Sequence, residues 1–164
     1  MKFIIDADII RSAGYSEHPI SSTSRNLLEE VIKHKGETVY CKTLMAEWRK
    51  HKSTYSTRWI ASMMSKKKLI LIPVKTEAKD FLDSLEESKD KKVALKDAHL
   101  VDLAIASNKI IFSNDTNAKN AFSKLLDNRS NFKKIYWLSP RDDMNIILNY
   151  ALKNKIINDN NLEI

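Results

Sequence analysis

Cysteine and glycine are scarce in this chain of 164 residues, which contains one cysteine and two glycines. The single Cys41 excludes a disulfide within one chain and any zinc cluster built from several cysteines. Because only Gly14 and Gly36 are available, glycine-rich loops of the GxGxxG and GxxxxGK types, which wrap nucleotide phosphates, are excluded as well. We expect Cys41, at the end of an apolar segment, to be a small buried residue and not a reactive thiol.

Long apolar segments are also missing. No run approaches the roughly 20 residues that a membrane-spanning helix needs, and Asp6 lies where a secretory signal would have its apolar stretch. We therefore expect a cytoplasmic protein with no membrane partner. The composition, 43% hydrophobic and 30% charged, is ordinary for a globular protein. It predicts one domain over residues 1–157 with a polar tail at 158–164, and both a monomer and a homodimer are compatible with it.

Basic residues outnumber acidic ones by 28 to 21, which gives a formal net charge of +7. This surplus favours a polyanionic partner, although basic residues also serve solubility. Strand-like and helix-like segments alternate along the chain without internal repeats. The strand-like segments are 1–5, 38–41, 69–72, 110–112 and 133–138. Such alternation predicts an α/β fold, a three-layer α/β/α sandwich around a central, mostly parallel sheet.

Acidic residues follow the predicted strands. Asp6 and Asp8 come directly after the first strand, and Asp115 follows the segment 110–112. In a parallel sheet the carboxyl ends of the strands face the ligand crevice, so these acids can converge there. Glu47 falls in the helix predicted after the second strand, and Asp97 is predicted to open a helix, where it would also be suited to capping.

These acids, in this order, resemble the acidic set of the PIN-domain nucleases, and the similarity extends over residues 2–138. The segment 97–115 is the most similar part, since it runs from an acid through an apolar helix and an apolar strand to Ser113 and a final acid. The resemblance implies a PIN-like sandwich and a divalent-metal-dependent endoribonuclease that uses Mg²⁺ or Mn²⁺. The implied catalytic metal ligands are Asp6, Glu47, Asp97 and Asp115.

Chemistry supports such an assignment, because phosphodiester hydrolysis needs an activated water and positive charge near the phosphate, and hard divalent cations prefer carboxylate ligands. Clustered acids are expected to have raised pKa values and to titrate together. Three further residues are assigned auxiliary roles around the metal: Asp8, Asp102 and Ser113. Asp102 lies roughly 140° around a helix from Asp97, so it is not expected to share the same helix face.

The partners implied by the resemblance are single-stranded or looped RNA and, for a small PIN protein acting as a toxin, an antitoxin protein. Four cations are candidates for contacts with RNA phosphates, namely Arg11, Arg49, Lys96 and Lys119. Three tryptophans, Trp48, Trp59 and Trp137, lie on apolar faces and are predicted to be core residues. His99 has no metal-ligand partner at a suitable spacing and is predicted to be an ordinary helix residue.

Two alternatives remain open. The first strand and its Asp6-Ala7-Asp8 ending also resemble the start of haloacid-dehalogenase-type phosphatases, in which Asp6 would be the nucleophile and Asp8 an acid/base. Ile10 stands where that family expects Thr or Val, and the chain lacks the glycines for a flap. The second alternative is a non-catalytic PIN-like module that binds RNA or protein, although retention of all four acids argues against it.

Overall fold

A computed structural model describes residues 1–126, 132 and 134–164 of the chain. Within them, five strands form one sheet in which all neighbours are parallel. The strands are β1 (Lys2–Ile5), β2 (Glu37–Tyr40), β3 (Leu69–Leu71), β4 (Ile110–Phe112) and β5 (Tyr136–Leu138). The predicted α/β class and parallel sheet are confirmed. Residue 133, where the last predicted strand begins, lies outside the described residues.

Helices fill every connection between the strands. They are α1 (Ala7–Ser12), α2 (Pro19–Lys33), α3 (Lys42–His51), α4 (Thr54–Ser65), α5 (Glu77–Asp83), α6 (Lys89–Ile105) and α7 (Thr116–Leu125), and α8 (Met144–Asn149) follows β5. Helix α1 packs on α2 and α3, whereas α6 packs on α5 and α7. Two separate helical groups beside one sheet are consistent with a three-layer α/β/α sandwich.

Among the described residues, no helix has the length and apolar character required to cross a lipid bilayer.

The direction of winding reverses once in the sheet, whose order is β3-β2-β1-β4-β5. The chain moves outward from β1 to β2 and β3, then returns to place β4 on the other side of β1 and continues to β5. Connections of this kind are almost always right-handed, so the reversal sends the two helical groups to opposite faces. It also leaves a crevice beyond the carboxyl ends of β1 and β4, the usual ligand site in such sheets.

The three tryptophans and the cysteine are buried, as predicted from their apolar surroundings. The indole N–H of Trp48 donates a hydrogen bond to the carbonyl oxygen of Ile5 at 3.0 Å. This contact joins α3 to the last residue of β1, so the position of α3 relative to the crevice is set by a buried bond. Trp59 similarly donates to the carbonyl of Leu28 at 2.8 Å and holds α4 against α2.

Helix α6 begins eight residues earlier than the sequence predicted. Its N-cap is Ser88, whose hydroxyl accepts a hydrogen bond from the backbone N–H of Lys91. The stretch before Asp97 is rich in charged residues, yet Lys91 is only 6% exposed. Its ammonium group donates to the carbonyl of Leu85 at 2.8 Å and pairs with Glu87. Asp97 is therefore in the middle of a helix, and the prediction that it opens or caps one is wrong.

Residues 158–164, predicted as a polar tail, lie against β5. The backbone N–H of Ile164 donates to the carbonyl of Ile135 at 3.0 Å, and Glu163 forms an isolated antiparallel bridge with Tyr136. Leu162 is 5% exposed, which shows that this segment contributes apolar contacts. The apolar residues Leu162 and Ile164, spaced among polar neighbours, were the signal for this packing.

Lysines occupy backbone conformations that usually belong to glycine. Lys35, Lys67, Lys109 and Lys134 have φ angles of 55°, 56°, 61° and 61°. Each lies one or two residues before a strand. A left-handed conformation costs an L-residue about 1–2 kcal/mol because Cβ approaches the following carbonyl oxygen. The chain therefore uses lysine at four turns where glycine or asparagine would be more stable.

In the turn between α2 and β2, Lys35 adopts the left-handed conformation and Gly36 allows close packing. The N–H of Gly36 donates to the carbonyl of Val31 at 2.8 Å, which closes the helix in a Schellman motif with Lys35 in the left-handed position. Gly36 itself has no positive φ. A Cβ on Gly36 would lie 2.9 Å from Cε2 of Phe3, so glycine is needed there for close packing.

This division predicts opposite effects for two neighbouring substitutions. Gly36→Ala should lower the free energy of unfolding by about 1–3 kcal/mol, since the new methyl group collides with Phe3. Lys35→Gly should raise it by up to about 1 kcal/mol because the strained conformation is relieved, less the extra entropy of the unfolded chain. Urea denaturation of both variants beside the wild type measures the effects. A stable Gly36→Ala variant would contradict the close approach to Phe3.

Candidate active site

A cavity of about 530 Å³ lies at the carboxyl edge of the sheet, where β1 and β4 end. Its lining brings together acids from four separate regions of the chain with three basic side chains at the same opening. The lining residues are Asp6, Ala7, Asp8, Arg11, Glu47, His51, Lys96, Asp97 and Asp115. All four acids predicted as metal ligands therefore face one cavity, together with the auxiliary Asp8.

Asp6 is the most buried of these acids, with 6% of its surface exposed. It follows β1 as the N-cap residue of α1, but its side chain does not cap that helix. Instead the hydroxyl of Ser113 donates to its Oδ2 at 2.6 Å. Burial raises the pKa of Asp6 above its usual value, and the hydrogen bond from Ser113 opposes this shift. The auxiliary role predicted for Ser113 is consistent with this contact.

Asp8 lies in the first turn of α1 and reaches towards β4. Its Oδ2 accepts a hydrogen bond at 2.9 Å from the backbone N–H of Asn114. Its Oδ1 is buried and accepts no hydrogen bond from the described residues. Burial first, and the nearby charge of Asp6 second, raise the pKa of Asp8 to about 8. Asp8 therefore has one carboxylate oxygen without a hydrogen bond. Burial and the charge of Asp6 both disfavour its ionised form, and a nearby cation would stabilise that form.

Asp115 has two functions in the fold. It is the N-cap of α7 and accepts the N–H of Ala118 through Oδ1 at 2.9 Å, while its own N–H donates to the Ser113 hydroxyl at 3.0 Å. This capping role is compatible with a position at the cavity. Ser113 thus connects Asp6 and Asp115 through a single hydroxyl group.

Glu47 and Asp97 approach from helices on opposite sides. Nε2 of His99 lies 3.2 Å from Oε2 of Glu47, an ion-pair distance, although its N–H is not aligned for a hydrogen bond. Burial raises the pKa of Asp97 to about 7, with a further contribution from Asp6. Burial alone would lower the pKa of His99, but the nearby Glu47 and Asp97 carboxylates raise it above its usual value.

These carboxylates suit a divalent cation by their chemistry, because Mg²⁺ and Mn²⁺ prefer oxygen ligands. Burial, and next the charge of Asp6, raise the pKa values of Asp8 and Asp97, and a bound cation would oppose both effects. The buried, unpaired Oδ1 of Asp8 is a further available donor. However, no three acidic, histidine or cysteine side chains of the described residues stand close enough to enclose a metal ion. Binding a cation would therefore require side-chain rotation around the cavity.

Besides Ser113, which contacts Asp6 without lining the cavity, three predicted residues are not brought to it. Asp102 is buried on α6 and accepts the backbone N–H of Ala78 at 2.7 Å, so it satisfies the first turn of α5. The auxiliary role at the metal that was predicted for Asp102 is therefore wrong. Because Asp102 lies about 140° around the helix from Asp97, its side chain contacts α5 and not the cavity. Arg49 lines a separate groove with Tyr40. Lys119 is on α7 and does not line the cavity.

Sequence reasoning missed two histidines and an asparagine. His51 lines the cavity four residues after Glu47, a spacing that places both on one helix face and could have identified it. His99 was predicted to be an ordinary helix residue, which is wrong, because it pairs with Glu47 across two helices. Oδ1 of Asn114 accepts the hydroxyl of Ser139 at 2.8 Å and so fixes the turn that carries the acids.

A comparison of the chain with models of known protein families finds no match, and a comparison with curated proteins finds no similar sequence. The assignment of a function therefore depends on the geometry and chemistry of the cavity.

The raised pKa values of the cavity acids predict how stability varies with pH. The pKa of Asp8 is raised from 3.8 to about 8 and that of Asp97 from 3.8 to about 7. The folded state thus binds more protons than the unfolded chain between these limits, so stability should fall as pH rises from about 4 to 8. Thermal unfolding in EDTA across this range measures the slope. Asp8→Asn should flatten it, whereas Asp90→Asn, at a half-buried acid outside the cavity, should not. An unchanged slope in Asp8→Asn would contradict this assignment.

Proposed function

We propose that the chain is a divalent-metal-dependent endoribonuclease of PIN type, which hydrolyses RNA phosphodiester bonds at the acidic cavity. One observation carries the proposal: Asp6, Glu47, Asp97 and Asp115, which come from four separate elements, line one cavity at the point where the winding of the sheet reverses. Acids that served only as caps or as solvated helix residues would have no reason to share one cavity. Membership of the PIN family and RNA as the substrate are both part of what we propose.

The four acids would hold the cation through carboxylate oxygens. When bound, a divalent cation supplies a water that ionises near neutral pH and positive charge for the phosphate oxygens. Metal binding would also relieve the repulsion that raises the pKa values of Asp8 and Asp97. Activity should therefore increase with pH up to the range in which these acids lose their protons.

The protein's own residues orient this acidic set. Ser113 fixes one oxygen of Asp6 and the backbone of Asp115, and the N–H of Asn114 fixes Asp8. His99 restrains Glu47 through the ion pair described above. At the opening of the cavity, Arg11, Lys96 and His51 offer cationic or hydrogen-bonding groups to phosphates of a bound strand. These contacts would position RNA without reading its sequence.

The phosphatase alternative is less consistent with the cavity. A nucleophilic Asp6 would need a free oxygen directed at a phosphate, yet this residue is 6% exposed and one oxygen is engaged by Ser113. Toxin members of the PIN family bind an antitoxin protein. A search for such a partner of this chain is justified only once nuclease activity has been found. A non-catalytic module would bind a cation and RNA without cleaving it.

The direct test is cleavage of a pool of single-stranded and structured RNA with Mn²⁺ or Mg²⁺. Asp6→Asn and Asp97→Asn should each lower the rate by more than about 100-fold, because altering groups outside the ligand sphere alone costs 10–100-fold. Asp102→Asn is the matched control: it changes an acid on the same helix as Asp97, retains an acceptor for Ala78, and should cleave like the wild type.

If Asp102→Asn lost as much activity as Asp97→Asn, the loss would reflect a less stable helix and not a missing metal ligand. No metal-dependent cleavage by the wild type would overturn the nuclease proposal. Turnover of a phosphatase substrate that is lost in Asp6→Asn would support the phosphatase instead, and cation binding without cleavage would support the non-catalytic module.

Ser113 provides a second prediction. Ser113→Ala removes the donor to Asp6 and the acceptor for the N–H of Asp115, so cleavage should fall about 10–100-fold. Ser113→Thr keeps the hydroxyl and should restore most of the rate. Titration of the rate with Mn²⁺ should show a higher metal requirement for the alanine variant. Equal metal requirements in all three proteins would show that Ser113 does not position the acids.

A further inference from the structure

A second groove, with a volume of about 540 Å³, lies between α3, α4 and the end of β3. We call it the basic groove, and it is defined by three apolar and three basic lining residues, Met45, Met64, Leu71, Lys42, Arg49 and Lys52. At about 100° per residue, Glu47 lies about 160° around α3 from Met45. Helix α3 therefore presents one face to the acidic cavity and the opposite face to the basic groove.

The floor of the basic groove is apolar and open to solvent. Met64 on α4 is 62% exposed and Leu71 on β3 is 52% exposed, while Met45 on α3 is half-buried. Single apolar side chains on a protein surface need no explanation, but these three line one concave depression. Methionine is flexible and polarisable, which suits it to surfaces that adapt to a bound protein segment. The floor is thus an apolar surface available for a partner.

The rim of the basic groove is cationic, and within the described part of the chain no acidic residue lines it. Lys42, Arg49 and Lys52 are exposed, and none of them forms an ion pair with a described residue. The acid on the same helix, Glu47, lies at the other cleft beside His99. The positive charge of this rim is therefore not neutralised by the protein's own carboxylates.

Helix stability accounts for only part of this charge. Arg49 is in the last turn of α3 and Lys52 is its C-cap, where the helix dipole favours cations. Lys42 is the first residue of α3, where the dipole disfavours a cation and no acidic residue occupies the first turn. The position of Lys42 at the groove, and not at a helix end that needs it, points to a negatively charged ligand.

We propose that the basic groove binds an acidic amphipathic helix of a partner protein, at a site separate from the acidic cavity. Helix α3 has 10 residues and so extends about 15 Å along the groove, enough for about three turns of a bound helix. Apolar side chains at positions i, i+4 and i+7 of that helix would cover the floor. Its flanking carboxylates would face the cationic rim, and this charge complementarity selects an acidic partner.

Nucleic acid matches the floor less well, although it would also meet the cations. Proteins that hold single strands stack the bases on exposed aromatic rings. The exposed side chains of this floor are aliphatic, whereas Trp48 is fully buried and Tyr40 is half-buried. The proposal does not depend on the nuclease, because none of the cavity's acids lines the basic groove.

The test uses a display library of helical peptides of about 15 residues, with leucines fixed at i, i+4 and i+7 and flanking positions varied among glutamate, glutamine and lysine. Peptides are selected on the wild type and then depleted on the double variant Met64→Gln, Leu71→Thr. This variant keeps all three cations, so the depletion removes peptides that bind by net charge alone. Both altered side chains are exposed, and glutamine suits a helix and threonine a strand, so the melting temperature should equal that of the wild type.

Peptides that survive the depletion should carry glutamate at most flanking positions. A synthetic copy of a survivor, followed by fluorescence anisotropy, should bind the double variant at least about tenfold more weakly than the wild type, as the loss of one central apolar contact predicts.

Two triple variants locate the charge that the peptide recognises. Lys42→Gln, Arg49→Gln and Lys52→Gln together should weaken binding at least about tenfold and reduce its dependence on salt. The control triple should change the affinity less than about threefold, because it removes the same charge from exposed positions outside the groove. It consists of Lys50→Gln, Lys75→Gln and Lys89→Gln.

The proposal is overturned if no peptide survives the depletion, if the survivors show no preference for glutamate, or if both triples weaken binding equally. Displacement of the peptide by single-stranded RNA would instead assign the groove to nucleic acid. A wild-type dimer that the double variant converts to a monomer in sedimentation would assign it to a second copy of this chain.

Discussion

The hydroxyl group of Ser113 is the point on which the carboxyl edge depends. It donates to Asp6 at the end of β1 and accepts from the backbone of Asp115 after β4, so one side chain joins two strands that are 107 residues apart in sequence. This contact lies where the winding of the sheet reverses, which is where two adjacent strands diverge and leave room for a ligand. Without it, the buried carboxylate of Asp6 would lose its side-chain donor.

The cavity is unfavourable for the folded protein on its own. Burial raises the pKa values of three of its acids, Asp6, Asp8 and Asp97, and the charge of Asp6 raises those of Asp8 and Asp97 further. A structure selected for stability alone would replace Asp8 with a neutral residue. A cation bound among these acids, as the proposed function requires, would offset this cost.

Local patterns in the sequence were sufficient for the strands and for most of the acids. An apolar run followed by Asp6 or Asp115 predicts a strand with a carboxylate at its end, and the parallel sheet then brings these ends together. The start of α6 was missed because the stretch before Asp97 is charged and poor in apolar residues, although Ser88 is a residue type suited to the N-cap. The pairing of His99 with Glu47 depends on how α3 and α6 lie across the crevice, which no spacing along the chain encodes. Asp102 could be separated from Asp97 by helix angle, but its role at α5 required the fold.

The packing of residues 158–164 against β5 has a consequence for self-association. Edge strands expose unpaired N–H and carbonyl groups and can recruit strands from other molecules. The bridge between Tyr136 and Glu163 and the bond from Ile164 to Ile135 occupy part of that edge. At the other margin, β3 has only three residues and its neighbour Pro73 cannot donate to a ladder. Both margins of the sheet are thus poor templates for intermolecular strand addition, by two different means.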